Sequence, residues 1–325
     1  MSVEKTQKVK GAFSIKAVIA LAVVAVLASA PFYTSEYYLS IIRTILLWLG
    51  LSISWYFFSG LTKYVSLGSA AFFGLGVYFT VKYLDLSHKG LWPTLPLPVI
   101  ILMGTVMCFA LALVIGLVTL RVKGIYFAIL TFGISEMLKN FFEWWEIRVV
   151  GTRGTYLPIF MDYVSFYYMV FVPAMIALGV VAFLSRSKFG LGLRMIGENE
   201  DTAVHVGVNT TILKTLGFAV SSMLIGLMGG CFAMRFAYVN VDIAFDPLYT
   251  FMPAAMTLLG GAINMYGPII GAVILSLISE YLRVSYPHYF LIILGLVFIA
   301  IILFMPNGIM GRLREFKVRQ QKNQS

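Results

Sequence analysis

The residues with the clearest capacity for chemistry lie in one polar segment, Ser185–Lys214, of an otherwise apolar chain. Three carboxylates, those of Glu198, Glu200 and Asp201, are close together there and follow several basic residues. Such groups form ion pairs and charge-assisted hydrogen bonds. We therefore expect the segment to present its charges to a binding partner.

Patterns typical of catalysis are missing from the sequence. No G-x-x-x-x-G-K-[ST] stretch is present to hold nucleotide phosphates. The histidines His88, His205 and His288 are far apart, and Cys108 and Cys231 lack metal-ligand spacing. We expect no catalytic residue, no metal, no cofactor and no structural disulfide in this chain.

The composition indicates a helical membrane protein. Hydrophobic residues make up 60% of the 325 residues and charged residues 12%, whereas soluble domains are roughly 45–50% apolar. Long unbroken apolar runs favour helices over a β-barrel, whose strands alternate in polarity. The net charge of +10 is spread over the loops and does not indicate nucleic-acid binding.

The apolar runs predict eight to ten membrane spans. Three of them are short or interrupted by glycine and are candidates for broken or re-entrant helices: Gly68–Tyr83, Leu248–Leu259 and Gly267–Ser279. With a window of about twenty residues, we place the spans at 14–33, 38–60, 66–83, 97–119, 125–142, 164–184, 215–234, 248–264, 267–283 and 288–305.

The basic residues indicate the orientation. With ten spans and an inner N-terminus, 16 of the 24 Lys and Arg residues fall in inner loops and tails. Cytoplasmic loops are enriched in Lys and Arg, so we predict that both termini and Ser185–Lys214 are cytoplasmic. The expected organisation is a tail at 1–13, a transmembrane domain at 14–311 and a basic tail at 312–325.

The first apolar segment has two interpretations. Basic residues from Lys5 to Lys16, an apolar run and then Ala28-Ser29-Ala30 are typical of a cleavable signal peptide. The apolar character continues through Phe32 and Tyr33, which favours a retained first span.

The polar segment is predicted to contain a short capped helix at Glu198–Val206. Asn199 is a candidate N-cap, the acids suit the positive helix start, and Gly207 suits the C-terminal position. We expect Gly190-Leu191-Gly192 to break the helix that leaves the sixth span. Ala203 and Val206 would offer a small apolar stripe to a partner groove. The alternative is an ordinary solvated loop.

Further along, Asn209 or Thr210 is a candidate N-cap for the seventh span.

Polar side chains within the spans are candidates for a solute pathway. The hydroxyl residues are few, and a pathway with little fixed charge suits a neutral or zwitterionic solute. The candidates are Ser66, Ser69, Thr131, Ser135 and Glu136.

Two charged pairs and several small residues have alternative roles. Glu136 with Lys139, and Glu280 with Arg283, are spaced to pair on one helix face, as functional charges or as structural ion pairs. The small residues indicate tight helix packing, or broken helices that line a path; they are Ser222, Gly226, Gly229, Gly230, Gly260, Gly261, Gly267 and Gly271.

Four stretches, in order along the chain, resemble the permeases of branched-chain amino acid ABC importers. The run FGLGLRMIGENEDTAVHVGV from Phe189 resembles their ATPase-coupling segment, which has an FGRALRAIRENE-like sequence. SLGSAAFFGLGVY from Ser66 is similar to SLGHAAFFGIGAY, and FMPNGIMG from Phe304 to FxPxGLxG. LRVKGIYFAILT from Leu120 resembles LRVRGPYFAIVT of the larger, M-type permease rather than its H-type partner.

The resemblance implies an all-α permease subunit of an ATP-driven importer in a bacterial or archaeal cytoplasmic membrane. Implied partners are a second homologous permease, two ABC ATPase subunits that bind the ATP, and an extracytoplasmic solute-binding protein. The residues that it assigns to ATPase coupling are Gly190, Arg194, Glu198, Asn199, Glu200, Asp201, Ala203 and Gly207.

The sequence departs from the family pattern at four positions. Ser69 stands where His is usual, Ile125 where Pro is frequent, Gly197 where Arg is common and Val206 where Leu is usual. Gly197 is expected to alter the electrostatics of ATPase docking. Ser69 and Ile125 leave the solute open between branched-chain or other neutral amino acids and urea or short amides.

Two functions of other classes remain as alternatives. An ion-coupled secondary transporter needs no ATPase, but it would favour a mid-membrane charge that the sequence does not show. A membrane enzyme is disfavoured by the missing metal-binding and acid–base patterns.

Overall fold

The computed structural model describes residues 18, 21–157, 161–304 and 308–312. The predicted tail at 1–13, residues 313–325 of the basic tail, and Met305, Pro306 and Asn307 lie outside these residues. The long helices are α1 (Leu21–Phe32), α2 (Glu36–Trp55), α3 (Ser69–His88), α4 (Leu97–Thr119), α5 (Ile125–Trp145), α6 (Tyr163–Leu184), α9 (Thr210–Phe232), α11 (Leu248–Gly260), α12 (Tyr266–Ser285) and α13 (Phe290–Phe304).

Shorter elements connect them. They are α7 (Lys188–Glu198), α8 (Glu200–His205), α10 (Val241–Ala244), and the strands β1 (Thr155–Tyr156) and β2 (Tyr238–Val239). Helix α2 continues as a π-helical segment at Tyr56–Gly60, α5 as one at Glu146–Val150, and α9 as a 3-10 turn at Ala233–Arg235.

The ten long helices within the described residues correspond in order to the ten predicted spans. Six of them, α2, α4, α5, α6, α9 and α12, are long and apolar enough to cross a membrane. The chain is thus an all-α, multi-pass integral membrane protein.

Two of the three segments predicted as broken are continuous. Helices α3 and α12 each run for 20 residues, whereas α11 has only 13. At 1.5 Å per residue, α11 spans about 20 Å, less than the roughly 30 Å hydrocarbon core of a bilayer.

Helices α2 and α9 form the centre of the bundle. In the most apolar window of each, 78% of the residues are buried, against 22% for α5. A Cβ added at Gly76 of α3 would overlap the Gly226 carbonyl of α9, and one at Gly229 would overlap the Phe73 carbonyl. The small residues therefore bring α3 and α9 into backbone contact, as tight packing predicts.

Glycines also set the contact between α11 and α12. Cβ atoms at Gly260 and Gly267 would each overlap the backbone of the other segment, and one at Gly271 would overlap the Met256 carbonyl. Gly261, with φ +95°, makes the turn between the helices. Helix α9 is unbroken at Gly229 and Gly230, so the alternative of a broken helix there is wrong.

The predicted charged pairs within single helices do not form. Lys139 pairs with Asp242 of α10 at 2.9 Å and not with Glu136. Among the described residues, no salt bridge joins Glu280 to Arg283. For Lys139, Asp242 of the neighbouring helix α10 takes the place of Glu136. Spacing within one helix cannot predict such a contact between helices.

The C-terminal ends of α3, α5 and α9 meet at one end of the bundle, which we call the Arg235 end. Lys82 of α3 contacts Glu146 Oε1 at 3.3 Å and Thr155 Oγ1 at 2.7 Å. Thr155 of β1 pairs with Val239 of β2. The beginnings of α3, α5 and α9 lie at the opposite end, the Lys214 end, together with α7 and α8.

Candidate functional site

The polar segment folds as two successive short helices, α7 and α8, which we call the helix pair. Helix α6 ends at Leu184 and Ser187 caps α7, its Oγ accepting from the Gly190 N–H at 3.5 Å. The predicted break at Gly190-Leu191-Gly192 is therefore wrong, because it falls five residues earlier and the glycines lie inside α7. A Cβ at Gly190 would overlap the end of α6, so this glycine permits a close turn.

Asn199 separates the two helices. Its extended backbone (φ −159°, ψ 112°) ends α7, and its Oδ1 accepts from the Thr202 N–H at 3.0 Å as the N-cap of α8. Glu198 is the last residue of α7, so the prediction that the second helix begins at Glu198 is wrong. Gly207, with φ +89°, follows α8, and the Val208 N–H donates to the Ala203 carbonyl at 3.0 Å.

Asn209 then caps α9 by accepting from the Ile212 N–H at 3.2 Å. This was one of the two predicted caps for that span.

The carboxylate of Glu200 is turned into the protein. Its Oε1 lies 2.6 Å from Lys214 Nζ of α9, and its Oε2 accepts from the Tyr64 hydroxyl at 2.5 Å. Lys214 is 3% exposed, and its Nζ also donates to the Leu120 carbonyl at 3.4 Å. Glu200 thus ties α8 to α9 and to the segments before α3 and α5.

Lys123, in the segment before α5, adds a weaker contact. Its Nζ lies 3.6 Å from Asp201 Oδ1 and 4.0 Å from Glu200 Oε2. The Lys123 and Asp201 side chains are 62% and 84% exposed, so solvent screens this pair and its contribution to stability is small.

The network favours an ionised Glu200. Partial burial opposes ionisation, but hydrogen bonds from Lys214 and Tyr64 and the charges of Lys214 and Lys123 outweigh it and lower the pKa of Glu200. Burial and the neighbouring Glu200 raise the pKa of Tyr64, which keeps its hydroxyl a donor. The lowered pKa keeps the Glu200 carboxylate ionised at neutral pH.

Gly197 fixes the other contact of the helix pair. A Cβ at this position would overlap the Leu61 carbonyl in the segment that follows α2. The arrangement has no room for the arginine that is common in the family pattern, so the glycine serves backbone packing. An effect of Gly197 on docking charge stays a prediction.

The helix pair presents a mixed polar and apolar surface to solvent. Arg194, Glu198 and Asp201 are exposed, and so are Val204 (53%) and Val206 (67%). Ala203 is 1% exposed, because it lies on the same face as Glu200. The predicted Ala203–Val206 stripe is therefore wrong, and the exposed apolar pair is Val204 with Val206.

One of the predicted pathway hydroxyls, that of Thr131, contacts the segment that leads into α3. Thr131 Oγ1 accepts from the Leu67 N–H at 3.0 Å, and Ser66, Ser69 and Ser135 are buried. The Thr131 bond joins the start of α3 to α5. Glu136, one residue beyond Ser135, is partly buried. A role for these five residues in solute passage stays a prediction.

The residues that sequence reasoning missed are Tyr64, Lys123 and Lys214. They lie 136, 77 and 14 positions from Glu200, and no local spacing connects them to it. The one available signal was Lys214 itself, a charged residue directly before the predicted span at 215–234. Among the described residues, no group of three His, Cys, Asp or Glu side chains is placed to hold a metal ion.

The long apolar helices and the anchored helix pair define a membrane-embedded transport-type subunit with one structured polar projection. A family model for the permease component of branched-chain amino acid transport systems matches residues 37–302. The chain therefore belongs to the branched-chain amino acid transport permease family.

Curated relatives agree with this family. The high-affinity branched-chain amino acid transport system permease protein LivM of Salmonella typhimurium is 22% identical, covering 90% of this chain and 75% of the relative. LivM of Escherichia coli is 23% identical, over 93% and 76%. A probable LivH permease of Methanocaldococcus jannaschii is 25% identical, over 82% and 88%. No solved structure matches the chain.

Proposed function

We propose that this chain is one of two homologous permease subunits of an ATP-driven importer for branched-chain or other neutral amino acids. The helix pair docks ABC ATPase subunits in the cytoplasm, and these partners bind the ATP. An extracytoplasmic binding protein delivers the solute at the Arg235 end. The relatives are named as permease proteins of branched-chain amino acid transport systems, which supports the solute class and an inner-membrane location.

The observation that carries the proposal is the construction of the helix pair. A surface loop with no partner needs no buried anchor, whereas α8 is held by a 2.6 Å ion pair to a buried lysine on a central helix. The exposed side of the same helix pair offers charges and two valines. A rigid, mixed surface of this kind suits a groove on a partner protein.

The anchor also assigns distinct roles to the predicted coupling residues. Arg194, Glu198 and Asp201 are exposed and are proposed to contact the ATPase. Glu200 and Ala203 face inward and are proposed to hold the helix pair in position. Gly190, Asn199 and Gly207 shape its turns.

Copurification tests the docking surface. The tagged chain is produced with ABC ATPases and the second permease from the same genome, and extracted in mild detergent. We expect ATPase to copurify with wild type and to be lost in Glu198→Lys. Glu36→Lys is the matched control, because Glu36 is also exposed but begins α2 at the opposite end; it should retain the ATPase.

Uptake by cells then separates the alternatives. An importer of the proposed kind loses uptake when the partner ATPase cannot hydrolyse ATP, and it transports leucine. Uptake that depends on an ion gradient and does not depend on the ATPase would instead establish a secondary transporter. Uptake of urea or short amides in place of leucine would move the chain to that branch of the family.

A further inference from the structure

A pocket of about 230 Å³ opens at the Arg235 end of the bundle. It lies between α2, the end of α9, the start of α11 and α12. Its wall combines aromatic rings with three charged side chains: Trp48, Phe232, Arg235, Asp246, Tyr249 and Arg283. The rings of Trp48 and Tyr249 stack at 5.8 Å, which makes one wall rigid and apolar.

The charges of this pocket do not neutralise one another. Within the described residues, neither Arg235 nor Arg283 forms a salt bridge, and neither does Asp246. Arg235 and Arg283 line the same pocket, and the carboxylate whose charge acts on Arg235 is that of Glu280, which forms no salt bridge with it. Asp246 Oδ1 accepts from the N–H of Leu248, the first residue of α11, at 2.8 Å.

A third guanidinium strengthens the positive field. Arg43 of α2 is 8% exposed, and its Nε has no hydrogen-bond partner. Its Nη2 donates to Ser40 Oγ at 3.2 Å and its guanidinium lies over the Phe166 ring, while its charge also acts on Arg235. Holding like charges together costs free energy, and a bound carboxylate would lower that cost with charge-assisted hydrogen bonds.

We propose that this pocket binds a zwitterionic amino acid with an apolar side chain. The ligand carboxylate lies between Arg235 and Arg283, its ammonium group lies at Asp246, and its side chain packs on Trp48 and Tyr249. The inference rests on the proposed function, because it makes the pocket the first binding site of the permease for an arriving solute.

The layout matches the chemistry of such a ligand more closely than that of urea or an ion. Urea carries no charge for the two arginines to bind. A lone anion would use the arginines but leave Asp246 repelling it. A lone cation would meet two unpaired guanidinium groups. Only a ligand with both charges and an apolar body uses every part of the wall.

The test measures ligand binding to the purified transporter complex in nanodiscs, with no binding protein present. The probes are L-leucine, leucinamide, which lacks the carboxylate, and 4-methylpentanoate, which lacks the ammonium group. Saturation-transfer difference NMR detects weak binding of all three. The variants are Arg235→Gln and Asp246→Asn, and the matched control is Arg153→Gln, an exposed arginine paired with Glu143.

The expected result is a crossed pattern. Arg235→Gln weakens leucine and 4-methylpentanoate about tenfold or more, the loss of one charge-assisted hydrogen bond, but does not weaken leucinamide, whose positive charge the arginine repels. Asp246→Asn keeps the oxygen that accepts from the Leu248 N–H; it weakens leucine and leucinamide but does not weaken 4-methylpentanoate, which the aspartate repels. Arg153→Gln changes nothing.

Two results would overturn the inference: no leucine binding to wild type at millimolar concentration, or equal loss of all three probes in a variant. Uptake and ATPase copurification are followed in parallel. Normal ATP-driven leucine uptake without the crossed pattern would show that this pocket is not the binding site, and it would leave the proposed function intact. Absence of both uptake and ATPase from wild type removes the proposed function itself.

Discussion

The two ends of α9 treat charge in opposite ways. At the Lys214 end, Glu200 and Lys214 neutralise each other at 2.6 Å and fix a helix in place. At the Arg235 end, Arg235, Arg283 and Asp246 line one pocket without a salt bridge among the described residues. Charges satisfied within the protein specify a position, whereas charges left unpaired keep their capacity for a ligand. Mutations at the two ends should therefore separate stability from ligand binding.

The largest effect is expected from Lys214→Met. The substitution leaves the Glu200 carboxylate without its main counter-ion. Breaking a buried ion pair lowers the free energy of unfolding by roughly 3–5 kcal/mol. Because Glu200 is partly exposed, we expect a loss of about 3 kcal/mol. Thermal unfolding in detergent measures this, and uptake should be lost.

The double variant Glu200→Leu with Lys214→Met is the control for that change. It removes both charges, so most of the stability should return while uptake stays impaired, because α8 has lost its anchor. A single Lys214→Met variant as stable as wild type would show that the ion pair does not hold the helix pair.

A smaller loss is expected from Gly197→Ala. The added Cβ meets the Leu61 carbonyl, and overpacking of this kind costs about 2 kcal/mol. Gly133→Ala, on α5, is the matched control, because nothing lies within 4 Å of its added Cβ. It should be neutral or stabilise by up to about 1 kcal/mol. Equal melting temperatures for the two variants would contradict the close contact between α7 and residue 61.

The pH dependence of unfolding probes the same end more finely. The pKa of Glu200 is lowered in the folded protein, while a glutamate in the unfolded chain has a pKa of about 4.3. Its stabilising contribution is thus complete above that unfolded value and is lost as the pH falls through the lower, folded pKa. Glu200→Gln should flatten the unfolding profile below about pH 5. A profile parallel to that of wild type would argue against the ionised pair.

The smallest effect on stability is expected from Arg283→Gln. This arginine has no carboxylate partner in the described part of the chain, so its loss should change the free energy of unfolding by less than about 0.5 kcal/mol. A slight gain would agree with relief of the repulsion from Arg235. Strong destabilisation would mean that the Arg235 end, like the Lys214 end, uses its charge for structure.

Local signals in the sequence were sufficient for the helices and their caps. The ten apolar runs correspond to the ten long helices, and Asn199, Asn209 and Gly207 occupy the positions that their chemistry favours. These features depend on residues within one or two turns, which a sequence displays directly.

Contacts between distant segments were not predictable in the same way. Nothing near Glu200 indicates that Tyr64 and Lys214 will surround it, and the inward direction of Ala203 follows from that anchor. Gly190 and Gly197 looked like a helix break and a changed charge, but each proves to be a close backbone approach. The sequence shows that a glycine has no side chain, but only the neighbouring segment in the fold explains why no side chain would fit there.

Helix α9 carries Lys214 near its start, and its 3-10 extension carries Arg235 at the other end, 21 residues away, or about 32 Å of helix. One continuous element therefore belongs to both proposed binding sites. If ATPase binding at the helix pair changes the affinity for solute by some factor, thermodynamic linkage has a fixed consequence. Solute binding must then change the affinity for the ATPase by the same factor. Backbone contact with α3 leaves α9 little freedom to bend between Lys214 and Arg235. Helix α9 therefore connects ATPase binding at one end with solute binding at the other.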